Sequence, residues 1–137
     1  MFKRGVAIII KNRQILLMHR LKNGQVYYVF PGGSVEEGEV PYDTTIRELN
    51  EEFNIHIKID CELFQYQNTY NGRTRQEYYY LVKEFAGTPK LGGEEKERMT
   101  DKNQYAPKRV NLSDLEKLQL FPEQSKIKIF NLFHKGE

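Results

Sequence analysis

The sequence predicts an α/β fold, a mixed β-sheet with helices on its faces. Three observations predict it. Short β-branched and aromatic runs separated by turn residues fill residues 4–30 and 55–85, an amphipathic helical pattern lies between them, and a second helical pattern follows residue 122. The 137 residues have the length of one domain, taken as 1–137. A hydrophobic content of 39% is modest, but 12% aromatic residues supply bulky side chains for a core and argue against wholesale disorder.

Residues 4–10 and 14–19 are apolar runs joined through Lys11-Asn12-Arg13, a hairpin-like connection with a turn-prone Asn. Met1-Phe2-Lys3-Arg4 feeds straight into Val6-Ala7-Ile8-Ile9-Ile10, and Lys11 cuts that run short with no small-residue cleavage site after it. This is the pattern of a first strand and not of a signal peptide. Residues 26–30 follow the Asn23-Gly24 turn as a third strand and stop at Pro31-Gly32-Gly33, where strand pairing is expected to end. A helix is expected over 40–53, with Pro41 in the first turn, where a missing N–H costs nothing. At ~100° per residue, Tyr42, Ile46, Leu49 and Phe53 share one stripe, while Glu48, Glu51 and Glu52 fall on a separate sector.

Two further strands, 55–70 and 75–85, are joined through Asn71-Gly72. The polar segment 86–104 is long for a structureless loop and reads as a functional lid or a mobile excursion. Residues 105–110 form another strand, Asn111-Leu112-Ser113-Asp114 opens a short helix to Leu118, and Pro122 starts the last helix. There Ile127, Phe130 and Phe133 or His134 recur at helical spacing.

Several function classes are disfavoured at once. No apolar run approaches the ~18 residues of a membrane span. The lone Cys61 can form neither an internal disulfide nor a thiolate metal cluster, which fits a reducing cytoplasm; it reads as a small filler in a strand. The net charge of +2 hides a local imbalance: residues 34–55 carry −6 and the remainder +8. An acidic pocket in a basic body suits a polyanion held through bound cations. A continuous Lys/Arg stripe of the kind that grips nucleic acid is missing.

The chemistry concentrates on the central helix. Carboxylates at i, i+3 and i+4 repel one another, at ~0.2–0.5 kcal/mol per pair even when solvated. Arg47 relieves part of this by reaching Glu51 one turn on. A divalent cation reverses the sign of the arrangement, because Mg²⁺ or Mn²⁺ takes hard oxygen ligands together with waters and phosphate oxygens. Taken alone, Glu48, Glu51 and Glu52 read by default as a solvated acidic face.

The register from Gly33 to Ile55 settles the choice. Gly33, five residues, Glu39, seven residues and then Arg47-Glu48-Leu49-Asn50-Glu51-Glu52-Phe53-Asn54-Ile55 resembles the Nudix box, GX5EX7REUXEEXGU, with U a bulky aliphatic residue. Eight of its nine specified positions agree, and Asn54 replaces a Gly where a left-handed backbone is expected, which Asn tolerates. The resemblance implies an α/β/α sandwich with a mixed sheet and the box as a loop-helix-loop unit. It also implies Mg²⁺- or Mn²⁺-dependent hydrolysis of a nucleoside diphosphate linked to another moiety. Carried over position by position, Glu48, Glu51 and Glu52 are implied as metal ligands together with the Gly33 carbonyl. By the same resemblance Arg47 is implied to orient a glutamate, and Glu39 to pair with or back up the cluster. Homodimers are common among such relatives.

Glu48 is the first choice for general base, since it lies one turn before Glu52; Glu94, Glu95 and Glu97 in the long polar segment are the alternative, against a plain solvated excursion there. For the substrate, Arg20 is placed to hold a phosphate bidentately or to pair with the acidic segment. Tyr28, among Phe30, Tyr66, Tyr70 and Tyr78-Tyr79-Tyr80, offers a face for base stacking or fills a core. Two readings from different classes follow: a hydrolase acting on a small nucleotide, or a non-catalytic nucleotide-sensing module.

Overall fold

β1 (Phe2–Ile8) buries Val6, Ala7 and Ile8 in succession, each at most 1% exposed. A strand that buries consecutive residues has to be covered on both faces. In a computed structural model of the chain, describing residues 2–92, 99–100 and 102–134, it is covered in this way. Val6 and Ile8 enter one apolar cluster with Phe30, Tyr79 and Ile129, while Ala7 and Ile9 enter a second with Leu49, Phe53 and Ile57. β3 (Gln14–Lys22) divides likewise, sending Ile15 and Leu17 to the first cluster and Leu16 and Met18 to the second.

The α/β class holds, with the strands shared between two mixed sheets. β5 (Gly32–Ser34), β1, β7 (Arg73–Ala86) and β6 (His56–Tyr70) form the first in that order, with β1 and β7 parallel. The second runs β2 (Ile10–Lys11), β3, β4 (Gln25–Val29) and β9 (Leu120–Phe121), and β8 (Asn103–Asn111) pairs with β3 along its length. The sheets meet where the chain leaves β1: the Leu16 N–H donates to the Ile9 carbonyl at 3.0 Å. Asn12-Arg13, Asn23-Gly24 and Asn71-Gly72 all have positive φ, the backbone of two-residue hairpin turns. Lys11, assigned to the first turn by sequence, instead belongs to β2.

Pairing does not end at Pro31-Gly32-Gly33. β5 lies antiparallel to β1 with Gly33 opposite Gly5, and the Pro31 carbonyl accepts from Ala7 N–H at 2.9 Å. The glycines permit this approach, since a Cβ on Gly32 would collide with the Gly5 carbonyl. The chain therefore switches sheets at Pro31 and delivers Gly33 to the first sheet.

α1 (Pro41–Phe53) buries Thr44, Thr45, Leu49 and Phe53. Tyr42 is not part of that stripe; it is exposed, with its ring edge-on to Tyr80. The helix comes so close to β1 that a Cβ at Gly5 would strike the Thr45 hydroxyl and stand 2.7 Å from the Pro41 carbonyl, so small threonines occupy the seam. Asn54 ends the helix in the left-handed conformation (φ 58°, ψ 36°), and its N–H, like that of Ile55, donates to the Leu49 carbonyl.

Residues 93–98 and 101 of the polar segment, and with them Glu94, Glu95 and Glu97, lie outside the described residues. A 3₁₀ turn, Leu112–Lys117, stands where a short helix was expected, and α2 is Glu123–Phe133. α2 buries Ser125 and Ile129 and leaves Ile127 exposed, so its inner face is offset from the expected stripe. Cys61 is exposed on β6 and fills no core position. Among the described residues no helix is long and apolar enough to cross a membrane.

The Gly5 seam sets the helix position, which gives a stability prediction. Gly5→Ala should lower the unfolding free energy by about 1–3 kcal/mol, the usual range for overpacking, as read by urea denaturation. An unchanged midpoint would mean that the helix is free to shift outward.

Candidate active site

Glu39, at the end of the loop before α1, is bound by Arg47 through two parallel hydrogen bonds, Nε to Oε2 at 2.8 Å and Nη2 to Oε1 at 3.0 Å. This fork is the strong form of the arginine–carboxylate contact. Glu39 also accepts from the Thr44 hydroxyl at 2.6 Å and the Glu36 N–H at 3.2 Å. The Arg47 bonds foremost, helped by the Thr44 bond and opposed by partial burial, hold the Glu39 carboxyl down at about 2. The hydrogen bonds it donates to Glu39, with the charges of Glu48 and Glu39, push Arg47 upward, so it stays a cation.

The same guanidinium reaches along its own helix. Nη1 donates to Glu48 Oε1 and Glu51 Oε2, both at 3.1 Å, and Nη2 to the Ser34 carbonyl at 3.3 Å. The sequence foresaw only the Glu51 contact. Glu48 is not on a solvated face: its side chain is 16% exposed and lies against Gly33, where any Cβ would overlap the carboxyl. Burial raises the Glu48 pKa; Arg47 works against this, and Glu52 adds to it. Glu51 is half exposed, and Glu52 faces a cleft between α1 and the strands. Among the described residues no three His, Cys, Asp or Glu side chains are gathered around a common point. The helix nevertheless places Glu48, Glu51 and Glu52 within about one turn.

Arg20 and Glu52 line that cleft together, with Arg4, Met18, Val29 and Tyr105. The Arg20 Nη2 donates to the Tyr105 hydroxyl at 2.8 Å, and the guanidinium lies 4.3 Å from the Tyr105 ring centre and 5.4 Å from that of Tyr27. Its Nε is buried with no partner among the described residues. Tyr28 is not in this cleft. It pairs with His19, one residue out of phase with Arg20, sits edge-on to the His19 ring at 5.2 Å and packs on the cluster shared with α2.

The structure thus joins Gly33, Arg47, Glu48 and Glu51, and joins Glu52 with Arg20, but leaves Tyr28 on the far side of β4. Sequence reasoning missed Tyr27, Tyr105 and Arg4. Tyr27 was recoverable, because a two-residue turn at Asn23-Gly24 sets Arg20 opposite Tyr27. Tyr105 had no such signal, since its place depends on the long-range pairing of β8 with β3.

The depressed Glu39 pKa predicts a pH effect of definite sign. A carboxyl at about 2 when folded, against 4.5 ordinarily, contributes stability above pH 4.5 that is lost as the pH falls toward 2. Glu39→Gln should therefore be less stable than the wild type at pH 6, with the difference shrinking by pH 2.5 in denaturant titrations. An equal difference at both pH values would contradict the assignment.

A sequence model of the NUDIX domain matches residues 1–128. An 8-oxo-dGTP diphosphatase of Haemophilus influenzae is 39% identical over 89 residues, 61% of this chain and 64% of that protein. An RNA pyrophosphohydrolase of Shewanella sediminis is 41% identical over 61 residues, 42% of this chain and 36% of that protein. The chain thus matches less than two thirds of the length of either relative. Among solved structures, the E. coli ORF135 protein has a TM-score of 0.78 at 24% identity, covering 100% of this chain and 93% of that one. A MutT NUDIX hydrolase of Burkholderia pseudomallei has 0.74 at 22%, covering 93% and 95%. At these identities the structural likeness shows the fold, and the domain match over residues 1–128 shows that the chain belongs to the NUDIX family.

Proposed function

We propose that the chain is a nucleotide pyrophosphohydrolase, dependent on Mg²⁺ or Mn²⁺, that cleaves the phosphoric anhydride of a nucleoside diphosphate linked to another moiety. The observation that carries this is the box helix itself: Glu48, Glu51 and Glu52 stand within about one turn, Glu48 lies against Gly33, and Arg47 is shared among Glu39, Glu48 and Glu51. The names of the two curated relatives, a diphosphatase and a pyrophosphohydrolase, point to the same bond.

The donor set fits a hard divalent cation. It consists of oxygen ligands alone, and Glu48 is a desolvated carboxylate with only part of one guanidinium to neutralise it. Glu48, Glu51, Glu52 and the Gly33 carbonyl would hold the ion, which supplies charge neutralisation and a more acidic water. The chain's own groups do the rest. Arg47 orients the Glu48 and Glu51 carboxylates. Glu48, shifted upward by burial, is suited to accept a proton from an attacking water, with Glu94, Glu95 or Glu97 as the alternative acceptor. Arg20, fixed by Tyr105, offers its remaining donors to a phosphate in the cleft it shares with Glu52. Tyr28, on the other face of β4, takes no part in this proposal.

Incubation with a panel of (d)NTPs, nucleotide sugars and dinucleoside polyphosphates should yield nucleoside monophosphates only with Mg²⁺ or Mn²⁺ present, and chelation should stop the reaction. Glu52→Gln should lower kcat by roughly 100-fold or more, since loss of a ligand removes several kcal/mol of transition-state stabilisation. Full activity in that variant would remove Glu52 from the ligand set. Tight nucleotide binding with no product across the panel would favour the sensing module instead.

A further inference from the structure

Arg4 lies on β1 with Ser34 of β5 on one side and Glu77 of β7 on the other. Its Nη2 donates to the Phe30 carbonyl at 2.9 Å, immediately before the segment that delivers Gly33. The residue is half-buried and lines the cleft of Glu52 and Arg20. Burial foremost, and then the nearby Arg75, work against its charge.

The acids whose charge acts on it, Glu77 and Glu48, are engaged elsewhere. Glu77 is buried, with Oε1 accepting from the Tyr79 hydroxyl at 2.6 Å and Oε2 from Arg75 at 3.0 and 2.9 Å. Glu48 acts on Arg4 through its charge while its Oε1 is bonded to Arg47. Among the described residues the five N–H donors of Arg4 meet one hydrogen-bond acceptor, the Phe30 carbonyl. A half-buried guanidinium in this state contributes little to stability, because the hydration it has lost is not repaid by a paired carboxylate. A ligand anion entering the cleft would repay it.

We infer that Arg4 is a substrate-contacting residue, a second guanidinium beside Arg20 that takes a phosphate oxygen of the substrate. This rests on the pyrophosphohydrolase reading of the site. The Phe30 carbonyl fixes the guanidinium, so a phosphate bound to Arg4 is also registered against the Gly32-Gly33 strand and the Glu48 carboxyl that touches it. Tyr79 and Arg75 keep Glu77 from closing onto Arg4 and competing with the ligand.

The test is the affinity of the full chain for pyrophosphate with Mg²⁺, read by calorimetry for wild type, Arg4→Lys and Arg4→Met. Arg4→Met should weaken binding by about tenfold or more, the usual scale for one charge-assisted contact, and Arg4→Lys should restore most of the loss. Wild-type affinity in Arg4→Met would overturn the inference. So would loss of nucleotide affinity with pyrophosphate affinity intact, which would place Arg4 against the base. Should Arg4→Met fail to fold, the NMR resonance of the Arg4 Nε–H in the wild type decides the matter: it should move on adding pyrophosphate with Mg²⁺, and an unmoved resonance would overturn the contact. A wild type that binds pyrophosphate through Arg4 but hydrolyses no nucleotide would defeat the proposed function and leave this inference standing.

Discussion

Mutual repulsion among Glu39, Glu48, Glu51 and Glu52 is the constraint on which the rest of the structure turns. One cation, Arg47, holds three of them: it forks onto Glu39 and shares a single nitrogen, Nη1, between Glu48 and Glu51. Glu39 is thereby fully satisfied and strongly ionised, whereas Glu48 is left short of positive charge in a half-dry setting. The unequal division produces a structural carboxylate in the loop, Glu39, and an under-neutralised one on the helix, Glu48. A surplus of negative charge at a fixed place attracts a divalent ion, and through it a polyphosphate.

The fold keeps that surplus from relaxing. A helix free to slide would carry its acids into solvent, but Gly5 admits α1 so closely that Thr45 and the Pro41 carbonyl rest on β1. On the other side, the sheet switch at Pro31 brings Gly33 against the Glu48 carboxyl, where no larger residue would fit. Beneath this seam the two apolar clusters, divided by β1 and β3, make the backbone positions expensive to change. Local chain geometry, packing and charge therefore support one arrangement.

Much of this was legible in the sequence, for identifiable reasons. The strands with continuous apolar runs, the three turns bearing Asn, the helix over the box and its left-handed end at Asn54 all depend on local preferences. The Nudix-like register placed Arg47, Glu48, Glu51 and Glu52 on one helix because spacing along a helix fixes relative position. Features that needed a second segment were lost. Pairing of Gly32-Gly33 with β1, the burial of Glu48 and the exposure of Tyr42 all follow from how closely α1 and β5 approach β1, and a glycine in sequence does not say what presses on it. Tyr28 was misplaced relative to Arg20 by one residue of strand alternation. Tyr105 joins the cleft through a strand pairing with Arg20 across 85 residues of sequence, and Arg4 through its place on β1 between β5 and β7.

The claim that the helix acids form a cation seat is tested most directly by a crystal grown with Mn²⁺ and a non-hydrolysable nucleotide, located by the metal's anomalous scattering. The account predicts an ion bound by at least two of Glu48, Glu51 and Glu52 and bridged to phosphate oxygens, with the Arg47–Glu39 fork intact. An ion absent from that helix at saturating nucleotide, with Arg47 still holding Glu48 and Glu51 as now, would contradict it.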